Sequence, residues 1–167
     1  MVMSVKRIIK HLITGNIAVR SAFPAHSLLT IERAIHKAET EHAGQIRFAV
    51  EASLDFGAVF YNQTASERAI DLFSQLRVWD TELNNGVLIY LLLADRDVEI
   101  VADRGIHSVV GSSVWEEICI EMESAFHSGK FEAGVIQGIH AISGHLQRNF
   151  PRKPNLANEL PDEVVIF

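Results

Sequence analysis

Cysteine is almost absent from this sequence. The single residue, Cys119, excludes an internal disulfide framework and a zinc cluster built on several thiolates. It lies within a helical pattern of apolar residues, so we interpret it as a small core residue rather than a reactive thiol. This cysteine content suits a reducing compartment.

Long hydrophobic runs are also missing. The longest, GVLIYLLLA at residues 86–94, has about half the length that a membrane-spanning helix needs. The N-terminal MVMSVKRIIKHLITGN contains basic residues but neither the long apolar segment nor the small-residue cleavage site of a secretory signal. We therefore expect a soluble, cytoplasmic chain.

The N-terminal segment itself is predicted to be a short amphipathic helix. Its basic side chains stand beside apolar ones: Lys6, Arg7, Lys10 and His11 beside Val5, Ile8, Ile9 and Leu12. The favoured interpretation is a first helix docked on the core. The alternative is a helix that touches a membrane surface, which would make the protein peripheral to a membrane.

An excess of basic charge is absent as well. The chain carries 15 Lys and Arg against 21 Asp and Glu, a formal net charge of -6, and its basic residues are spread along the sequence. No surface suited to a nucleic-acid backbone is indicated, so we expect no nucleic-acid partner. The 167 residues suffice to bury roughly two thirds of the unfolded surface around a single core.

Hydrophobic periodicity divides the chain into alternating helices and strands. A helix is predicted at 27–44, a strand at 45–53 and a helix opened by a Thr64–Glu67 capping box. A buried strand at 86–94 then turns back through an antiparallel partner at 98–103. Two helices follow, the first opened by a Ser113–Glu116 capping box.

These elements predict an α/β fold, a three-layer α/β/α sandwich. The strand–helix–strand order over 45–94 indicates a right-handed crossover between parallel strands, and the hairpin adds an antiparallel strand to a short mixed sheet. Helices are expected on both faces, because the strand at 86–94 is apolar on both sides. We predict one domain over 1–167, with its core at about 24–148 and an extended tail at 149–167 that needs no core of its own.

The acidic residues of the hairpin fall at its two ends. A two-residue loop of Arg96 and Asp97 would place Asp95 opposite Val98 and Tyr90 opposite Asp103. Five strand residues then separate Asp95 from Tyr90, about 16 Å at the usual rise. One small ion cannot be shared by Asp95 and Asp103, so the sequence predicts two separate candidate sites.

The first candidate site gathers oxygen-bearing side chains at the entry of the buried strand. Metal ligands are expected from Asp80, Glu82 and Asp103, with Asn84 and Asn85 orienting them. Such hard oxygen ligands favour Ca²⁺ or Mg²⁺. Arg104 could hold a phosphate oxygen, and His107 could donate a proton. The competing interpretation is ordinary turn chemistry with a local salt bridge.

The second candidate site lies at the turn of the hairpin. Asp95 would approach Glu51 there, because the carboxyl ends of parallel strands meet at one edge of the sheet, where ligands bind in open α/β folds. An Asp-Arg-Asp sequence is also common in turns, and that structural interpretation is favoured.

The segment LRVWDTELNNGVLIYLLLADRDVEIVADRGI, 76–106, resembles the TPM domain family. The resemblance rests on the strand entry at Asn85–Leu88, the turn residues Asp95 and Arg96, and Gly105 after the second strand. It implies an α/β/α sandwich and, in some members, divalent-metal binding at an acidic surface and acid phosphatase activity. A signal peptide and a transmembrane segment, common in the family, are not evident in this sequence.

Two functions compete on this basis. We favour a non-catalytic module that binds a divalent metal or a partner, either a membrane protein or a membrane surface, because no nucleophile or general base is evident. The alternative is a metal-dependent, acid phosphatase-like hydrolase acting on a phosphate-containing small molecule, with the metal at Asp80, Glu82 and Asp103.

Overall fold

The computed structural model describes residues 5–154 and 156–167, which form eight helices and four strands. The helices are α1 (Val5–Ile13), α2 (Asn16–Ala22), α3 (Ala25–Glu39), α4 (Phe56–Phe60), α5 (Ala65–Gln75), α6 (Arg104–Val110), α7 (Ser112–His127) and α8 (Phe131–Asn149). The strands are β1 (Gln45–Glu51), β2 (Gly86–Leu92), β3 (Asp97–Ala102) and β4 (Val165–Ile166).

The strands form one mixed sheet in the order β3-β2-β1-β4. β1 is parallel to β2 and to β4, and β2 is antiparallel to β3. Every residue of β2 is buried, and alternate side chains enter two different cores. Ile89 packs with residues of α3, α7 and α8, whereas Tyr90 packs with residues of α4 and α5. The predicted three-layer α/β/α architecture, with a parallel crossover, an antiparallel hairpin and helices on both faces, is confirmed.

The predicted register of the β2–β3 hairpin is wrong. Leu92 pairs with Asp97, so the turn contains four residues, 93–96, rather than two. The turn is closed by the Arg96 N–H, which donates to the Leu93 carbonyl at 3.1 Å, and Arg96 adopts a φ of 55°. Tyr90 therefore pairs with Glu99. The apolar run continues into the turn and conceals where the strand ends.

Of the two capping boxes predicted at helix starts, one is confirmed and one is wrong. The Thr64–Glu67 capping box at α5 has both of its hydrogen bonds, at 3.1 and 2.9 Å. The Ser113–Glu116 box is absent: α7 begins after Gly111, whose φ of 87° suits glycine, and it has no side-chain cap.

The C-terminal tail packs on the core. Leu160 is buried, and the Gln45 Oε1 accepts hydrogen bonds from the Glu159 and Leu160 N–H groups. Farther along, the Phe167 N–H donates to the Val50 carbonyl at 3.0 Å, so β4 covers the edge of β1. The tail therefore shields a strand edge that would otherwise be open.

Candidate functional site

The first candidate site lies where β2 begins and β3 ends. Asp80 is exposed and forms an ion pair with Arg77 at 2.7 Å, and Glu82 is also exposed. Asp103, by contrast, is 9% exposed. Its Oδ1 accepts from the Arg104 N–H at 2.7 Å and caps α6, while its buried Oδ2 has no partner among the described residues.

The two asparagines at this entry hold the chain in place. The Asn85 Nδ2 donates to the Ala43 carbonyl at 3.1 Å, and its N–H donates to Thr81 Oγ1. Asn84 has a φ of 52°; its Oδ1 accepts from Arg104 Nε at 3.2 Å. Their polar groups thus have protein partners and fix the loop that precedes β2.

Two glycines allow close approach of the backbone around Asp103. A Cβ on Gly105 would lie 2.4 Å from the Asn84 carbonyl oxygen, and one on Gly86 would lie 2.0 Å from the Val78 carbonyl oxygen. The Asp103 N–H donates to the Gly86 carbonyl at 2.9 Å. Asp103 thus lies at the entry of β2, and the residues in 5–154 and 156–167 contain no group of three or more His, Cys, Asp or Glu placed to hold a metal ion.

At the second candidate site the two carboxylates have separate cationic partners. Glu51 accepts two hydrogen bonds from Arg68, each at 2.9 Å, and one from the Tyr90 hydroxyl at 2.7 Å. Burial and the Glu51 hydrogen bond raise the pKa of Tyr90. Asp95 instead pairs with Arg7 of α1 at 2.9 Å. Both carboxylates therefore tie helices to the end of the sheet.

Helix α1 is docked on the core as predicted, through a mixed face in which partly buried Ile8 packs against the core beside Arg7 and His11. Arg7 and His11 point toward Asp95, and the His11 Nδ1 accepts from the Leu54 N–H at 2.9 Å. The apolar stripe of the same helix is turned to solvent: the exposed fractions are Val5 64%, Ile9 52%, Leu12 70% and Ile13 76%. An ordinary amphipathic helix on a globular core buries most of its large apolar side chains, whereas α1 exposes these four.

The exposed stripe meets α4, because Leu12 and Phe56 line the same small cavity. Phe60 at the end of α4 packs on Tyr61, with ring centroids 5.4 Å apart, and Ile17 at the start of α2 is also exposed. We call this surface the docking face. It comprises Val5, Ile9, Leu12, Ile13, Ile17, Phe56, Phe60 and Tyr61, all exposed.

Comparison with protein-family models and solved structures identifies the family of this chain. The family model of the TPM domain matches residues 22–145. The chain belongs to the TPM domain family. The NMR structure of the BA42 protein from the psychrophilic bacterium Bizionia argentinensis is similar at 30% identity and a TM-score of 0.76, covering 87% of this chain and 95% of that one.

A second solved structure shares the fold alone. It is the solution NMR structure of the N-terminal domain of a protein from P. gingivalis, similar at 18% identity and a TM-score of 0.59 over 74% of this chain and 76% of that one. No curated protein sequence matches this TPM domain.

The remaining candidate, His107, lies on exposed α6 of this TPM domain and lines a groove between β3 and α7. Burial raises the pKa of Asp97 and Glu99 in that groove, and neighbouring carboxylates raise both further. Burial also raises the pKa of Cys119 to about 12, which supports the interpretation of an inert thiol. His107 therefore borders an acidic groove as well as the Asp103 turn.

The charge of this TPM domain is distributed unevenly. Basic residues occur throughout, but no acidic residue precedes Glu32. The first 31 residues contain Lys6, Arg7, Lys10 and Arg20 and therefore carry a formal charge of +4. Because the whole chain has a formal net charge of -6, residues 32–167 carry -10. None of the described helices is long and apolar enough to cross a bilayer.

Proposed function

We propose that this TPM domain is a non-catalytic docking module that binds an anionic membrane surface through the docking face. One observation carries the proposal: α1 contacts the rest of the protein through Arg7, Ile8 and His11 and presents its apolar stripe outward. A short helix with an apolar face and flanking lysines is the form that lies in a membrane interface.

The energetics favour a covered docking face. Each isoleucine transferred fully from water to an apolar environment gains about 1.5–3 kcal/mol. The α1 stripe contains four large apolar side chains that are more than half exposed. Burial in the acyl boundary of a leaflet would recover part of this free energy without any change of fold.

Charge complementarity favours an anionic leaflet as the occupant. Lys6 and Lys10 are exposed on α1 next to the apolar stripe. Each basic side chain near an anionic surface contributes about 1 kcal/mol at physiological ionic strength. The acidic remainder of the chain would be repelled by the same leaflet, so the charge distribution also orients the domain.

A bound divalent ion, Ca²⁺ or Mg²⁺, stays a prediction with one supporting observation, the partnerless Oδ2 of Asp103. The carboxylates of Asp80, Glu82 and Asp103 do not form one ligand group in the described residues. A phosphatase-like hydrolase would need such a group to polarise its ester, so the docking role ranks above it.

Vesicle flotation tests the docking role. The wild-type protein is expected to bind phosphatidylcholine vesicles containing about one fifth phosphatidylserine and to lose that binding in high salt. Combining Ile9→Ser with Ile13→Ser removes two large side chains from the apolar stripe and is expected to abolish binding. The matched control is Ile120→Ser on α7, a residue 65% exposed on another surface. Equal binding by the double variant and the control would refute the proposal.

A further inference from the structure

A cleft of about 730 Å³ opens beside the docking face. Its walls come from α1 and α2 on one side, from the turn 93–96 on another, and from the junction of α7 and α8. The turn follows the carboxyl end of β2, next to the end of β1, since the Ala94 N–H donates to the Ala52 carbonyl at 3.0 Å. Ligands of open α/β sheets bind at such strand ends.

Three basic side chains line this cleft: Lys10, Arg96 and His127. Lys10 and Arg96 make no side-chain hydrogen bond or ion pair within the described ranges, and His127 uses only Nδ1, on the Glu123 carbonyl at 2.8 Å. The acid in the lining, Asp95, is paired with Arg7. The cleft therefore has an excess of positive charge in a protein that is acidic as a whole.

The rest of the lining suits an oxyanion attached to an apolar body. Thr14 and Ser21 contribute hydroxyl groups, while Leu93 and Phe131 contribute apolar surface. Arginine forks, ammonium groups and hydroxyls are the usual ligands of phosphate oxygens. Arg96 also has a φ of 55°, a conformation that costs free energy in a residue other than glycine and is often found at functional sites.

We infer that this cleft binds the phosphate headgroup of an anionic phospholipid, and that a phosphomonoester, as in phosphatidic acid, fits it best. The inference rests on the proposed membrane docking, because α1 and α2 carry side chains of both the cleft and the docking face. A lipid whose acyl chains contact Ile13 and Ile17 could place its headgroup beside Lys10 and Ser21. A phosphomonoester presents more negative charge to Lys10 and Arg96 than a phosphodiester does.

Flotation with two lipids tests the inference. Vesicles containing phosphatidic acid or phosphatidylglycerol are matched in measured surface potential, and the wild-type protein is expected to bind the former several-fold more tightly. Replacing one basic contact by Arg96→Gln should lower affinity for phosphatidic acid about fivefold and affinity for phosphatidylglycerol clearly less, so that the lipid preference shrinks. Lys6→Gln removes the same charge from α1 outside the cleft and should lower binding to both lipids alike.

An NMR titration with soluble glycerol 3-phosphate separates this inference from the docking proposal. Shifts of the Arg96, His127 and Gly129 amides that vanish in Arg96→Gln, together with the lipid preference, support the headgroup site. If the protein binds vesicles without preferring phosphatidic acid, and glycerol 3-phosphate shifts none of these amides, the headgroup site is refuted while the docking proposal stands. Shifts without vesicle binding overturn docking and the lipid source together, and reassign the cleft to a soluble phosphate ester.

Discussion

Glu39 is a carboxyl group buried between α3, β1 and the C-terminal tail. It is 5% exposed, and its Oε1 accepts from the Ile46 N–H at 2.7 Å. Burial, reinforced by the charge of Asp162, raises its pKa from 4.5 to about 8. The carboxyl group is therefore largely protonated in the folded protein at neutral pH, whereas it is ionised in the unfolded chain.

This pKa shift makes stability depend on pH with a definite sign. Between pH 4.5 and about 8 the folded state binds more protons at Glu39 than the unfolded state. The Glu39 contribution to the free energy of unfolding should therefore be highest below pH 4.5 and should fall as the pH rises towards about 8. The Glu39 contribution to this fall is about 2 kcal/mol between about pH 6 and pH 8 by linkage.

Glu39→Gln keeps an acceptor for the Ile46 N–H and removes the titrating group. The variant's free energy of unfolding, measured by urea denaturation, should exceed that of the wild type by an amount that grows by about 2 kcal/mol from about pH 6 to pH 8. Buried His42, whose pKa is lowered to about 4, acts in the opposite direction but cancels in the difference. The control is Glu41→Gln, an exposed neighbour. A difference between variant and wild type that does not change with pH would refute the reasoning.

Three further substitutions address the two ends of the hairpin. Glu51→Gln should cost about 1–3 kcal/mol in urea unfolding, because it leaves a half-buried guanidinium without its counter-ion. Gly105→Ala should lower the melting temperature, because its Cβ would meet the Asn84 carbonyl, whereas Gly144→Ala has open space in α8 and should not. If an ion binds at Asp103, millimolar Ca²⁺ should raise the melting temperature of the wild type and not that of Asp103→Asn. An unchanged melting temperature in both proteins would refute the predicted ion site.

The layers of the fold could be predicted because they follow from local periodicity. The run from Gly86 onward is apolar on both faces, and only a central strand covered by helices satisfies such a run. Its end could not be predicted, because Leu93 and Ala94 are buried in the turn just as the strand residues are. The start of α6 was detectable: Asp103 before Arg104 is a common helix cap.

The tail and the docking face depend on tertiary contacts that no local pattern contains. β4 pairs Val165 with Ala49, far away in sequence, and the apolar run VVIF at 164–167 does not by itself identify its partner strand. The mixture of basic and apolar residues in α1 was visible in the sequence. Which side of α1 faces inward was not, because it is decided by Asp95 in the distant hairpin turn.

The hairpin turn physically connects the two proposals. Asp95 binds Arg7 and thereby fixes the rotation of α1 that turns its apolar stripe outward. The next residue, Arg96, lines the cleft beside the same helix. Because one four-residue turn positions both groups, a membrane contact that shifts α1 would also shift the wall of the cleft relative to Arg96. Docking and headgroup binding should therefore be coupled through Asp95, each favouring the α1 position that the other requires.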